Sequence, residues 1–539
     1  MTASFDLTSR PWIPCQLLDG TTAELSTRET LARAHEIRAI VDDFPPTIAV
    51  LHRHLLAILH RVYDGPKNMR EWGAIARAPT LDAARIDAYL ERVRDRMDLL
   101  HPTQPFGQVR GLARTELKVH DAVDLDLRRW GWGNATPLFS HNEVAHTSRS
   151  HALATRLLLV LHAYAFFGVV PGLNPTAKER FGEPHAGGAA PLLNTGITLL
   201  RGGTLKATLV ANLVRHDPSL EIPSGTTGAD APAWERPPLP VRLTHALEPR
   251  RVPDGLLDQL TWQSRRIELL GDESGVNGYV ILRGQSYPEG AEPLDSMAFY
   301  ARNVDAKAGE RAWRAYRVSA DKAFWRDANV LFARLDDTTK RRPLAVDQIC
   351  RPEAVDVLGP NAAFDVAFIG FDPGGQKLNV ATVRLESLHA AAKRLDDVDA
   401  RGLVESVLAF VEAAKRALDD AVGAFAKSLL PSVGGGPEPK AVKALSRALA
   451  PDARFWSEVG RDYAVFSREL DGSLTAAEWS LRRKVIAITQ SCFASALDAA
   501  PETGRAARAR TLAQGLLDHS LRQLQSDQQP IQDEEASHA

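Results

Sequence analysis

The chain has 539 residues, 44% of them apolar and 24% charged, more than one hydrophobic core organises, which predicts two or three soluble globular domains. Its 65 Lys and Arg nearly balance 67 Asp and Glu, which excludes a protein that holds nucleic acid through bulk basic charge. Any nucleic-acid contact must come from local basic patches, or from partners that carry most of the charge.

At the N-terminus, Trp12 to Leu18 reads as a short strand, Asp19-Gly20 as a two-residue turn, and Thr22 to Leu25 as the returning strand. Ser26-Thr27-Arg28-Glu29 is a capping box that starts a helix carrying Leu31 and Ala34 inward. From Pro46 to Tyr63, Ile48, Leu51, Leu55, Leu59 and Val62 recur at helical spacing, and Leu81 to Leu100 reads as a further helix. His52, His54 and His60 share no face of their helix and read as surface or core histidines. Residues 107–142 are rich in turns and aromatics, an apolar helix follows near 147–168, and 168–194 is a Gly/Pro-rich loop. Ser224 to Pro240 reads as a loop or a break between subdomains. Strand-like runs follow at Arg266–Leu270, Tyr279–Leu282, Ala312–Val318 and Ala363–Phe371.

Beyond residue 385 the pattern becomes long and amphipathic, at about 385–396, 401–430, 439–449, 475–499 and 503–525. The fold class is therefore α+β: a large mixed α/β domain over 1–384, then a four-helix-type bundle over 385–526. Residues 527–539 form a polar, acidic tail expected to be disordered. Cys15, Cys350 and Cys492 are far apart with no C-x-x-C, which points to a reducing cytosol and no zinc site. With no signal-peptide pattern, and His162 interrupting the most apolar run, the expectation is a cytoplasmic prokaryotic protein away from membranes.

No arrangement of residues announces catalysis. His141, His146 and His151 are spaced by five and rotate around a helix, so they do not converge on a metal. His120-Asp121 and His216-Asp217 are isolated pairs. Arg201-Gly202-Gly203-Thr204 reads as a plain turn, and neither a P-loop nor a nucleophile elbow is present. Asp372-Pro373-Gly374-Gly375-Gln376-Lys377 reads as a hairpin tip that projects Gln376 beside Lys377. By spacing alone it is an ordinary polar tip.

Several of these blocks together resemble the CasA family, the large subunit of the type I-E CRISPR surveillance complex (Cascade). The opening run Phe5-Asp6-Leu7 to Pro11-Trp12-Ile13-Pro14, with its Asp-Gly turn and Ser-x-Arg-Glu box, carries the likeness first. His101-Pro102-Thr103-Gln104-Pro105-Phe106-Gly107-Gln108 resembles "H-P-x-x-P-F-x-Q", and Trp262-Gln263 to Leu269 resembles "W-Q-x-x-x-I-x-L". The resemblance covers residues 5–385, and the bundle by architecture.

The resemblance implies a non-catalytic subunit with no cofactor or metal that recognises the protospacer-adjacent motif (PAM) in double-stranded DNA. It also implies that Gln376, between Gly375 and Lys377, is a wedge that parts the first target base pair. Trp132, Asn134 and Phe139 fall in the loop that anchors the 5′ end of the guide CRISPR RNA. Asn194 falls in the PAM-facing loop 187–196. The family's PAM-contacting lysine has no counterpart in Gly271–Gly278, which leaves Arg265, Arg266 and Arg283 as the cationic candidates. The implied partners are guide RNA, target DNA, the backbone and small Cascade subunits, and a recruited helicase-nuclease. Arg128-Arg129, Arg341-Arg342 and Arg482-Arg483-Lys484 are offered as phosphate contacts. Two other readings stand beside this one: a metal-dependent hydrolase or nuclease using His146 or His216, and a pure assembly scaffold.

Overall fold

In the computed structural model the described residues are 4–114, 117–130, 148–166, 168–169, 186–187, 190–224, 229–241, 250–288, 293–307, 311–374, 380, 382–431, 436–498 and 502–526. Gly375, Gln376, Lys377, Trp132, Asn134, Phe139, His141, His146 and the 527–539 tail lie outside them.

The opening block folds as its residues dictate. Strands Ile13–Leu17 and Thr22–Leu25 pair antiparallel, and Ile37–Ile40 joins on the other side of the first. Leu17 N–H donates to the Thr21 carbonyl and the Asp19 carboxylate accepts from Thr21, so the turn spans three residues rather than two. Gly20 sits at φ +89°, where a side chain would be strained. The Ser26/Glu29 capping box is formed in full at the start of the Thr27–Ala32 helix. Trp12 is fully buried, and its indole N–H donates to the Leu7 carbonyl at 3.0 Å.

The chain divides into two compact units. The first holds 1–324, 330–387 and 391–393; the second holds 325–329, 388–390 and 394–539. In the first, the Pro45–Val62 helix is buried almost along its whole length. His52, His54 and His60 are therefore core residues, and burial holds their imidazoles neutral, at about 4, 3 and 3. His54 lies among Trp12, Phe106 and Trp234, with ring centroids 5.1–5.6 Å away.

The two internal motifs that carried the family resemblance meet in space. The Gln108 amide donates to the Leu99 carbonyl and accepts from Leu269 N–H, both at 2.8 Å. Val109 N–H donates to the Ile267 carbonyl, and Glu268 accepts from the amides of Gly111 and Ala113. Strand Arg265–Asp272 then turns into Gly275–Arg283 as one antiparallel hairpin. A third sheet orders Thr382–Ala391, Ala363–Asp372 and Ile197–Arg201. A fourth, small one centres Tyr300–Arg302 between Trp313–Ala315 and Lys340–Arg341.

Three expectations are corrected here. The amphipathic stretch 385–396 is not a helix: strand runs to Ala391, and only Ala392–Leu395 is helical. In that strand the chain pairs along a sheet edge, so its apolar residues follow the needs of the sheet and not a helical stripe. Thr204 is not in a plain turn; it caps the Leu205–Asn212 helix by accepting from Ala207 N–H. The bundle also contains a helix that the periodicity did not suggest, Asp452–Glu469. Its buried positions, Phe455, Val459, Tyr463 and Phe466, sit among charged neighbours that dilute the stripe.

In the second unit, Val398–Leu429 is the long central helix, and Leu474–Asp498 and Gly504–Ser526 pack against it. Of the apolar stripe that helical spacing marks there, Phe410, Ala414, Leu418, Val422 and Phe425 are buried and Leu429, at the helix end, is half-buried. Residues 325–329 belong to this unit. Trp325 stacks on Tyr463 at 4.9 Å, and the Arg326 guanidinium lies 3.5 Å from the Trp456 ring centroid while pairing with Glu412 at 2.7 Å. Among the described residues, no helix is long and apolar enough to cross a membrane.

Candidate nucleic-acid interface

The hairpin that bears Gln376 rises from a strand packed on both faces. Phe371 contacts Phe44, Tyr164 and Phe166 with centroids 5.5–6.3 Å apart, and Phe368 stacks on Phe324 at 4.4 Å. At the top of the stem the Asp372 carboxylate accepts from Gly374 N–H, and Gly374 takes φ +71°. The tip itself, 375–379, lies outside the described residues.

Strand Ile197–Arg201 pairs antiparallel with the hairpin's first strand, Ile197 opposite Ile369. This pairing carries the Leu192–Thr195 turn, with Asn194, onto the hairpin stem. One glycine makes the approach possible: a Cβ on Gly196 would lie 2.0 Å from the Phe368 ring, where no side chain fits. Gly196 N–H also donates to the Tyr316 carbonyl at 2.8 Å, so the turn is tied to the strand Trp313–Ala315 region as well.

The cationic candidates separate sharply. Arg265 is buried and donates to the carbonyls of Ser264, Ala165 and Phe166; burial, with Arg283 nearby, pulls its guanidinium down to about 10. Arg266 is fully buried and donates to the carbonyls of Arg283 and Val241 at 2.7 Å. Both side chains fasten backbone inside the domain and expose almost no surface, where the sequence suggested available cations. Arg283 is half-buried and donates to the Ser286 hydroxyl. Adjacent residues on a strand face opposite sides, but here both sides of the hairpin are covered, which local sequence does not reveal.

The offered phosphate clusters are occupied at every member but Arg483, which is exposed and makes no ion pair or hydrogen bond among the described residues. Arg128 forks onto Asp126 and lies over Phe44, and Arg129 faces Asp124. Arg341 pairs with Glu221 and covers Trp313, and Arg342 is buried against Asp347. Arg482 pairs with Glu478 over Phe410, and Lys484 pairs with Asp462. Most of these pairs lie at the surface, where each carboxylate offsets part of the positive charge its partner would offer a phosphate.

The histidine sets have structural employment too. His216 bonds to the Ser224 carbonyl, Asp217 pairs with Arg215, and His120 stacks on Tyr279 while Asp121 caps a short helix. Among the described residues no three His, Cys, Asp or Glu side chains are grouped to hold a metal ion, and Cys15, Cys350 and Cys492 are buried free thiols.

Sequence reasoning missed one basic region. Between residues 302 and 342 stand 11 basic and 6 acidic side chains, in a chain whose net charge is −2. That local imbalance was the available signal. Its members Arg311, Arg314 and Arg317 line a cavity with Asn194.

The architecture is that of a known class of protein, a mixed α/β domain followed by a helical bundle. Cse1 from Acidimicrobium ferrooxidans matches it with a TM-score of 0.80 at 23% identity, over 98% of this chain and 100% of that one. A chain from the structure of a CRISPR RNA-guided surveillance complex matches with a TM-score of 0.69 at 20% identity, over 96% and 100% of the two chains. In sequence, the CRISPR-associated protein CasA/Cse1 of Thermus thermophilus is 32% identical over 340 residues, 61% of this chain. That stretch spans 60% of the relative's own length. The family profile described as CRISPR-associated protein Cse1 matches residues 6–492, and the chain belongs to that family. The match runs past residue 385 and takes in most of the bundle.

Proposed function

We propose that this chain is the large, non-catalytic subunit of a type I-E Cascade complex in the prokaryotic cytoplasm, working with guide RNA and the backbone and small subunits. In this reading it recognises the PAM in duplex DNA, and Gln376 enters the duplex as a wedge that starts unwinding. Trp132, Asn134 and Phe139 anchor the 5′ end of the guide, and the complex then recruits a separate helicase-nuclease.

The observation that carries the reading is the convergence, within a Cse1-family chain, of the Asn194 turn onto the stem of the Gln376 hairpin through the close approach of Gly196 to Phe368. A wedge works only if it is rigid, and Phe371 packs one face of the stem while Phe368 packs the other. Unstacking one base step costs roughly a few kcal/mol, which a fixed side chain offsets only when its own position is already settled. Once guide pairing begins the exchange is near balance, so a local push decides whether it nucleates. With Arg265 and Arg266 enclosed, Asn194, Lys377 and Arg283 remain as the polar contacts. The minor groove suits such a set, because its acceptor pattern is degenerate and tolerates several PAMs.

The test is duplex binding by the reconstituted guide complex, with and without this subunit, over a library randomised beside the target at fixed salt. Flank preference that requires the subunit supports the reading; identical preference without it makes the chain a scaffold. Gln376→Ala should impair opening of intact duplex and spare pre-melted targets. Equal loss on both would remove the wedge.

A further inference from the structure

The first unit contains a polar cavity of about 300 Å³ beside the Asn194 turn, at the small end of the range for sites that hold small ligands. Its mouth is unusually cationic. Arg311, Arg314 and Arg317 lie on its lining within seven residues, on and around the Trp313–Ala315 strand. Asp295, the one carboxylate on that lining, is already held by Arg53 at 2.8 Å. Among the described residues neither Arg314 nor Arg317 makes an ion pair or a hydrogen bond. Arg311 and Arg317 are close enough that the charge of one, added to burial, lowers the pKa of the other. Arg314 and Arg317 bring positive charge beside Arg311 with no carboxylate of their own among the described residues, and an anion there relieves the repulsion.

The support behind these arginines is rigid. Trp313 carries Arg302 and Arg341 on its ring, at 5.4 and 4.0 Å, and its strand is paired to Tyr300–Arg302. The interior of the cavity offers amides. The Gln259 side chain donates to the Leu294 carbonyl, but its Oε1 is buried without a hydrogen-bond partner. Asn303 spends one donor on the Arg311 carbonyl, and Asn194 lines the wall beside the turn. An orphaned buried acceptor next to further amides is a hydrogen-bonding edge awaiting a complementary one.

A cationic mouth and an amide-lined interior of this size match the two halves of one nucleotide. We propose that this cavity receives a single unstacked nucleotide of a nucleic-acid strand, with its phosphate on Arg311, Arg314 and Arg317 and its base edge against Asn194, Asn303 and Gln259. The inference rests on the nucleic-acid reading above and adds a site that shares Asn194 with the duplex-facing turn but does not involve Gln376.

The experiment titrates the full chain, at fixed low salt, with AMP, GMP, CMP, UMP and inorganic phosphate, following amide chemical shifts or heat. At least one nucleotide should bind about tenfold tighter than phosphate, because base-edge bonds add to the charge-assisted ones. Arg314→Ala/Arg317→Ala, at exposed positions, should weaken nucleotide and phosphate alike by about tenfold or more. Asn194→Ala should remove part of the nucleotide's advantage and leave phosphate unchanged. Phosphate binding as tightly as every nucleotide would overturn the base pocket. Full affinity in the double arginine variant, or no binding of any probe, would overturn the site. Gln376→Ala keeps the two readings apart: it should leave nucleotide binding intact, and its effect on duplex opening stands or falls independently of the cavity.

Discussion

Substituting Gly196 by alanine should damage the molecule far beyond the size of one methyl group. The new Cβ would stand 2.0, 2.3 and 2.8 Å from three ring atoms of Phe368, well inside van der Waals contact. Phe368 is 2% exposed and stacked on Phe324 at 4.4 Å with an interplanar angle of 13°, so its ring has no free volume to enter. The strain must pass to the backbone pairing of Ile197 with Ile369, the pairing that seats the Asn194 turn on the hairpin stem. Overpacking of this kind costs about 1–3 kcal/mol. Urea unfolding of the full chain gives the stability loss, and flank-dependent duplex binding in the assembled complex gives the functional loss. Phe368→Leu removes the ring atoms involved, at a cavity cost of about 1–2 kcal/mol on its own. Placed with Gly196→Ala, it should recover part of that variant's deficit, an interaction of about 0.5–3 kcal/mol in a double-mutant cycle. Simple additivity of the two losses, or a neutral Gly196→Ala, would refute the close approach as the device that joins turn to hairpin.

Burial holds His54 neutral down to about pH 3 in the folded chain, whereas its unfolded value is near 6.5. A depressed folded pKa gives stability that is present above 6.5 and lost as pH falls toward the folded value. Each such histidine then withdraws about 2 kcal/mol between pH 7 and pH 5. His54→Phe, which suits the Trp12–Phe106–Trp234 surround, should flatten the pH dependence of urea unfolding by about that amount. An unchanged slope would show that His54 titrates freely in the native state. Gln108→Leu strips partners from the Leu99 carbonyl and the Leu269 amide at once, and should cost about 2–4 kcal/mol in the same unfolding assay. In the second unit, Arg326→Ala loses the stack on Trp456 and the pair with Glu412, which should lower the melting temperature through a loss of about 1–2 kcal/mol. Arg326→Lys should restore little of it, because the planar guanidinium makes both contacts and an ammonium does not.

Some of this protein is written locally, and those parts were legible in the sequence. The capping box at Ser26–Glu29, the buried stripe of the Val398–Leu429 helix and the strand ending at Asp372 follow from residue spacing within one element. Local chemistry governs them, because capping, period and turn residues act over a few positions. The family is legible too, since the blocks from Phe5 to Leu269 keep their order, and the structure gives two of them a physical reason by joining Gln108 to Leu269.

What tertiary structure alone decided is which charges are spent. Arg265 and Arg266 read as available cations and are enclosed by backbone carbonyls from segments as distant in sequence as Phe166 and Val241. Arg341, Arg342 and Arg482 read as clusters and are each matched to a carboxylate or a ring. Arg314 and Arg317, unremarked in the sequence, face a cavity beside Asn194, more than a hundred residues away along the chain. Charge is visible one residue at a time, but its neutralisation depends on long-range packing, and that packing separates a structural arginine from one free to meet a phosphate.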